Sequence, residues 1–273
     1  MHYIILGLIQ GLTEFLPISS SGHLVIGQYL LGLEISGVGF EIFVHFGTVL
    51  AVLLLFKKRI KKILLSFINS ITKISSRDKF FSNFKNDPQC KFAWLLVIST
   101  IPGALIGYFF NDQIEAIFGS PIIAASMLII TGICLFLTDK FLVSGNKRIS
   151  EINIIDALFI GIAQAFAIIP GISRSGFTIM MALSRKLDRK FAAEYSFILS
   201  IPIIIGASIF KLSEIFYLEI NIMLLITSGL TAFLSGYWAM KFFINILINN
   251  KLRLFSYYLW IIGIGLIIFI LLN

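Results

Sequence analysis

Residues 10–23 read QGLTEFLPISSSGH. This stretch places a carboxylate, a proline, three serines, a glycine and a histidine inside an apolar run that covers residues 1–33. A straight membrane helix needs about 20 apolar residues. The sequence Pro17-Ile18-Ser19-Ser20-Ser21-Gly22 divides the run into halves that are each too short to cross alone. Irregular backbone at membrane depth persists only where protein or a wet cavity covers it. The stretch therefore predicts a re-entrant helix-turn-helix that enters and leaves on one side.

The rest of the chain sets the context. It has 273 residues, 58% hydrophobic and 13% charged, with a mean hydropathy of +0.96. A soluble domain carries about 25% charged residues, so the composition predicts an all-α polytopic membrane protein. No linker or composition shift divides it, and we read 1–273 as one membrane domain. Six segments read as full spans, at 38–56, 92–110, 121–137, 191–210, 218–240 and 255–272. A second broken segment, 152–184, is interrupted at Pro170-Gly171-Ile172-Ser173-Arg174-Ser175-Gly176. With both broken segments re-entrant, twenty Lys and Arg residues fall on one side and only Lys211 on the other, with Arg174 inside the second break. That asymmetry satisfies the positive-inside rule and puts both termini outside the cytoplasm.

The net charge of +8 is explained by those loops and implies no nucleic-acid partner. Cys90 and Cys134 show neither disulfide-framework nor zinc spacing. The N-terminus lacks a basic region and a cleavage site and reads as retained. Ile60, Ile63, Leu64, Phe67, Ile68, Ile71 and Ile74 follow helical spacing beside Lys57, Lys58, Arg59, Lys61 and Lys62. This pattern predicts an amphipathic helix on the headgroups, or else a plain topology determinant.

A shift of 154 residues aligns the two broken segments without a gap. Gly7, Gln10, Ile18, Ser19, Ser21 and Gly22 meet Gly161, Gln164, Ile172, Ser173, Ser175 and Gly176. Each copy is followed by three spans, an odd number of crossings, so the copies have inverted topology. Repeat 1 covers about 1–137 and repeat 2 about 152–273. In such repeats the broken-helix tips meet near the midplane.

The differences between copies carry the chemistry. The first has Glu14, Ser20 and His23 where the second has Ile168, Arg174 and Phe177, and the second adds Thr178. Helix N-termini that resume after a break bind phosphate through free N–H groups. Ser19, Ser21, Ser173, Ser175 and Thr178 add hydroxyls, and Arg174 offers a fork that grips phosphate oxygens. Gln10 and Glu14 share a helix face. A carboxylate beside phosphate needs a proton or a cation between them. Glu14 thus reads as a ligand for Mg²⁺ or Ca²⁺, with Gln10 beside it, or as a base orienting a nucleophile. Ser20, His23 or water could attack phosphorus. Serines in membrane helices usually bond to their own backbone, but buried ionisable groups usually mark function. Glu41, His45 and Glu194 could support the site or hold helices together, and Asp156 reads as a helix cap.

These residues make the chain resemble the undecaprenyl-diphosphatase family, bacterial membrane phosphatases linked with bacitracin resistance. The likeness runs over the whole length. QGLTEFLPISSSGH matches the family's [E/Q]-x-x-x-E element and LPxSSxGH run, and PGISRSGFT at residues 170–178 matches its PGxSRSxxT element. The resemblance implies hydrolysis of undecaprenyl diphosphate to undecaprenyl phosphate and inorganic phosphate at the outer face of the bacterial cytoplasmic membrane. It also implies that Glu14 is the essential acidic or metal-linked residue, Ser20 the nucleophile and His23 its partner. Arg174, Ser173, Ser175 and Thr178 become the diphosphate-binding set. Many relatives have Glu where this chain has Gln10, which removes one metal carboxylate. The expected partners are the polyprenyl diphosphate and membrane lipids, with the oligomeric state open and a homodimer among the alternatives. The rival reading is a polyprenyl-phosphate flippase or secondary transporter using the same paired site.

Overall fold

The computed structural model describes residues 1–33, 39–74, 76–118, 120–141, 145–211, 220–248 and 251–272. Their regular structure is helical, and the only bridge among the described residues is an isolated one between Lys147 and Leu187. The long apolar helices are α3 (Gly39–Leu55), α6 (Pro88–Phe109), α8 (Pro121–Phe141), α11 (Arg189–Phe210), α12 (Ile222–Ile248) and α13 (Arg253–Leu272). They coincide with the six expected spans, of which the starting residues 38 and 218 lie outside the described residues.

The two broken segments fold back on themselves. Helix α1 (His2–Glu14) and α2 (Ser20–Leu31) form the first pair, α9 (Ile154–Phe166) and α10 (Arg174–Ser184) the second. At 1.5 Å per residue each of these helices is about 20 Å long or less, short of a bilayer core of about 30 Å. Gly27 of α2 packs on Leu6 and Ile9 of α1, so the end of one helix meets the start of the other. In the second pair, Arg185 just beyond α10 bonds Asp156 at the start of α9, at 2.8 Å. Asp156 also forms a capping box with Asn153 and accepts from Lys147 at 2.9 Å. It caps its helix as expected and also latches the hairpin shut.

The hairpins pack on each other's repeat in matching ways. Gly7 of α1 lies against the Ser228 backbone of α12, and Gly161 of α9 lies against the Ser99 backbone of α6. A Cβ at either glycine would fall 2.3 or 2.6 Å from the facing carbonyl oxygen, so only glycine lets these helices approach so closely. The tips also touch reciprocally. Gly22 of the first break faces Gly171 of the second, and Gly176 of the second faces Pro17 of the first. Since 17 and 171 are equivalent under the shift of 154, these contacts are one contact made twice.

The cations gather at one end. There Arg59 pairs with Glu194 at 2.7 Å, Lys91 bonds the Ser150 carbonyl at 2.7 Å, and the Asp156 cluster closes the second hairpin. Glu194 thus binds helices together. Helix α4 (Lys57–Ile71) turns 90° from α3, buries Ile60 and Ile63, and leaves Leu64, Leu65, Ile68 and Ile71 outward. This is the amphipathic helix read from the spacing. Two short helices, α5 (Arg77–Asn86) and α7 (Asn111–Phe118), complete the helices of the described residues.

Candidate active site

The first break turns at Ser19, whose φ of 67° is in the left-handed region. A non-glycine residue there costs on the order of 1–2 kcal/mol. Ser19 is the N-cap of α2 and its Oγ accepts from Gly22 N at 3.2 Å. The matching Ser173 caps α10 and accepts from Gly176 N at 3.0 Å. The positive ends of two helix dipoles therefore converge at the crossing. Ser175 Oγ donates to the Leu16 carbonyl at 2.9 Å and Ser19 Oγ to the Ile172 carbonyl at 3.3 Å, tying each break to the other. Thr131 of α8 donates to the Gly171 carbonyl at 3.0 Å and accepts from Ser173 N at 3.3 Å, pinning the second break.

Glu14, at the end of α1, is the centre of this arrangement. Its Oε2 accepts from Ser20 Oγ at 2.5 Å and from Gln10 Nε2 at 2.9 Å. His45 of α3 brings Nε2 to 3.3 Å from the same oxygen, while its Nδ1 lies 2.6 Å from the Glu41 carbonyl. The other oxygen, Oε1, accepts from an Arg174 Nη across the two repeats. Arg174 also donates to the Ser196 carbonyl at 3.1 Å. The Glu14 side chain is 3% exposed and that of Arg174 15%, so the pair is a buried one. His45 belongs to the cluster, which helical spacing from Glu41 alone did not decide.

Not every expected residue points the same way. His23 has Nδ1 2.8 Å from the Ser19 carbonyl and Nε2 2.8 Å from Tyr258 OH, and it stacks on the Tyr258 ring. Thr178 is fully buried and bonds Ser196 Oγ at 2.7 Å and the Arg174 carbonyl at 2.8 Å. It holds the helix that carries Arg174. Ser173 and Ser175 bond each other at 3.2 Å, as Ser19 and Ser21 do at 3.3 Å.

A cavity of about 490 Å³ opens over the cluster and runs between α6 and α11. At its inner end lie Glu14, Ser20, Ser21, Ser173 and Arg174; its middle is walled by small and aliphatic groups such as Gly103, Ala104, Ile168 and Ala207. Its size suits a small ligand or a head group.

A resident Mg²⁺ or Ca²⁺ ion needs about six or more oxygen ligands, usually including several carboxylates. Gln10 Oε1 is buried without a hydrogen-bond partner and lies on the residue beside Glu14. Yet both Glu14 oxygens already accept bonds, one of them from a guanidinium. Among the described residues no group of three His, Cys, Asp or Glu is placed to hold a metal. One ion-paired carboxylate and one amide oxygen do not fit a resident dication.

Crossed re-entrant tips carrying one buried acid and one buried cation place the chain in a definite class: all-α polytopic membrane proteins with paired broken helices at membrane depth. Comparison with known sequences narrows the class. The family model for bacitracin resistance protein BacA matches residues 3–265, and the chain belongs to that family. It is 41% identical over 263 residues to an undecaprenyl-diphosphatase of Methanobrevibacter smithii, covering 96% of this chain and 94% of that protein. An undecaprenyl-diphosphatase of Desulforapulum autotrophicum is 41% identical over 96% of this chain and 95% of its own length. Undecaprenyl-diphosphatase 1 of Bacillus licheniformis is 39% identical over 98% and 97%.

Proposed function

We propose that the chain hydrolyses undecaprenyl diphosphate to undecaprenyl phosphate and inorganic phosphate in the bacterial cytoplasmic membrane, returning the lipid carrier to cell-wall synthesis. The observation that carries this reading is the Ser20–Glu14–Arg174 contact beneath a cavity in a helical membrane bundle. Three relatives named undecaprenyl-diphosphatase, each covering nearly the whole chain, support it.

The residues suggest how the step runs. Ser20 Oγ donates to Glu14, the geometry of a hydroxyl nucleophile and its base. Attack on the terminal phosphorus passes the Ser20 proton to Glu14. The bond to the bridging oxygen breaks and undecaprenyl phosphate leaves. Water then cleaves the phosphoserine to inorganic phosphate. Arg174 and the convergent N–H groups of α2 and α10 face the charge that builds on the phosphoryl oxygens. His23, with both ring nitrogens engaged by Ser19 and Tyr258, serves better to hold the first break than to attack. A Mg²⁺ or Ca²⁺ ion enters, on this reading, as part of the substrate, chelated by its diphosphate. The twenty Lys and Arg residues in the loops of one side support, through the positive-inside rule, a cavity mouth and termini on the extracytoplasmic side, where spent carrier appears.

The test is phosphate release from undecaprenyl diphosphate by the purified chain in detergent, with Mg²⁺ or Ca²⁺ varied. No release, with lipid phosphate carried across vesicle membranes instead, would replace this reading by the transporter one.

A further inference from the structure

Lys211 is the exception to the charge pattern, one cation opposite twenty. The structure places it just beyond α11 at the outer end of the cavity, beside Asn111 and Glu115. Its ammonium pairs with Glu115 of α7 and lies 5.9 Å from the Phe210 ring centroid. The inner and outer ends of one cavity therefore each hold a cation–carboxylate pair, Arg174–Glu14 within and Lys211–Glu115 at the mouth.

We propose that Lys211 is a second anion-binding station, which receives the diphosphate head group on its way in and the inorganic phosphate on its way out. The inference rests on the lipid-diphosphatase reading. A lipid head group lies at the membrane interface, level with the end of α11, before it can move to the crossed tips. Among the described residues that line this end of the cavity, Lys211 is the cation. An ammonium on a flexible stem exchanges partners more readily than a guanidinium fork. The Lys211 side chain is 14% and that of Glu115 37% exposed, so the carboxylate is the solvated partner, and an arriving anion that takes its place keeps the ammonium paired while Glu115 moves into water. Glu115 in turn competes with the product and sheds it. A cation without that counter-charge would hold phosphate at the mouth.

This assigns opposite roles to two bonded residues, so their variants must behave oppositely. Lys211→Gln should raise KM for undecaprenyl diphosphate by about fivefold and weaken inhibition by added inorganic phosphate to a similar degree, with kcat unchanged. Glu115→Gln should strengthen inhibition by phosphate, and Lys211→Arg, whose guanidinium fork releases an anion more slowly, should keep KM low and also strengthen that inhibition. A merely structural pair predicts that Lys211→Gln and Glu115→Gln change kinetics and thermal unfolding in the same direction. That result, or unaltered phosphate inhibition in both, overturns the proposal. The same variants titrated with inorganic phosphate in a calorimeter read the station without turnover. An unaltered chain that binds phosphate through Lys211 yet releases none from the lipid would refute the hydrolase reading and leave the station standing.

Discussion

Replacing Glu14 by Gln keeps the shape of the side chain and removes its charge. Glu14 is 3% and Arg174 15% exposed, so the change leaves a guanidinium largely out of water with the Ser196 carbonyl as its remaining acceptor in this group. Removing one partner of a buried ion pair costs about 3–5 kcal/mol. The partial exposure of Arg174 and its bond to Ser196 put the expected loss at the lower end, about 3 kcal/mol. The single amide oxygen can then face either Arg174 or the Ser20 hydroxyl and Gln10 amide, not both, and Ser20 loses its base. Loss of a positioned base lowers turnover by about 10²- to 10⁴-fold. The same deletion makes Arg174 a better anion site, because phosphate no longer competes with a carboxylate. Inorganic phosphate should therefore raise the thermal midpoint of Glu14→Gln more than that of the unaltered chain. Arg174→Ala should lose stability by a similar amount and gain less from phosphate than the unaltered chain, keeping only what the mouth of the cavity binds. Phosphate release and thermal unfolding in one detergent measure both effects. Turnover of Glu14→Gln within tenfold of the unaltered chain, or equal stabilisation of the two by phosphate, would refute this account of the cluster.

Ser20→Ala should lower turnover about as much as Glu14→Gln, and the double variant no further, since a nucleophile and its base act as one unit. Tyr258→Phe removes one hydrogen bond to His23 and should cost less than about tenfold in kcat; a loss as deep as that of Ser20→Ala would make His23 a reacting group. Gly171 has φ 95° and a Cβ there would lie 2.3 Å from the Ala124 carbonyl oxygen, so Gly171→Ala should destabilise by about 3 kcal/mol and lower turnover, whereas Gly265→Ala, with open space around it, should not. In a background with Cys90 and Cys134 replaced, a cysteine at Asn111 should react with an impermeant thiol reagent in intact cells and one at Lys147 should not; the reverse labelling overturns the orientation.

Spans and hairpins were readable because hydropathy and length act locally. Residues 10–23 announced a break through Pro17 and a polar run that no lipid-facing helix tolerates, and the helices end at Glu14 and resume at Ser20 as that chemistry demands. Glu14 and Arg174 stood out for the same reason, as charges with no local partner to justify burial. Side-chain direction was less legible because it depends on residues far along the chain. His23 turns to Tyr258, 235 residues away, and Thr178 turns to Ser196 rather than into the cavity. Ser196 carries no charge, motif or unusual spacing, and only the packing of α10 on α11 reveals that its carbonyl holds Arg174. The short helices α5 and α7 lie in polar stretches whose composition fits loop as well as helix.

The departure from symmetry explains why the repeat makes a site at all. Two identical tips would bring two carboxylates or two guanidinium groups to one crossing, and like charges buried together cannot both stay ionised. Here Glu14 has Ile168 as its counterpart, and Arg174 has Ser20, so each copy gives half of one ion pair. The crossing is electrically near neutral while empty, which keeps its burial affordable. It becomes cationic toward an anion only when Arg174 shifts its contact from Glu14 to a phosphate. On the proposed mechanism Glu14 would then be released from its counter-ion while still bonded to Ser20, so that binding of the anion would itself free the base. On that mechanism, an acid and a cation drawn from opposite copies couple occupancy of the site to activation of its nucleophile, which a symmetric pair of tips could not do.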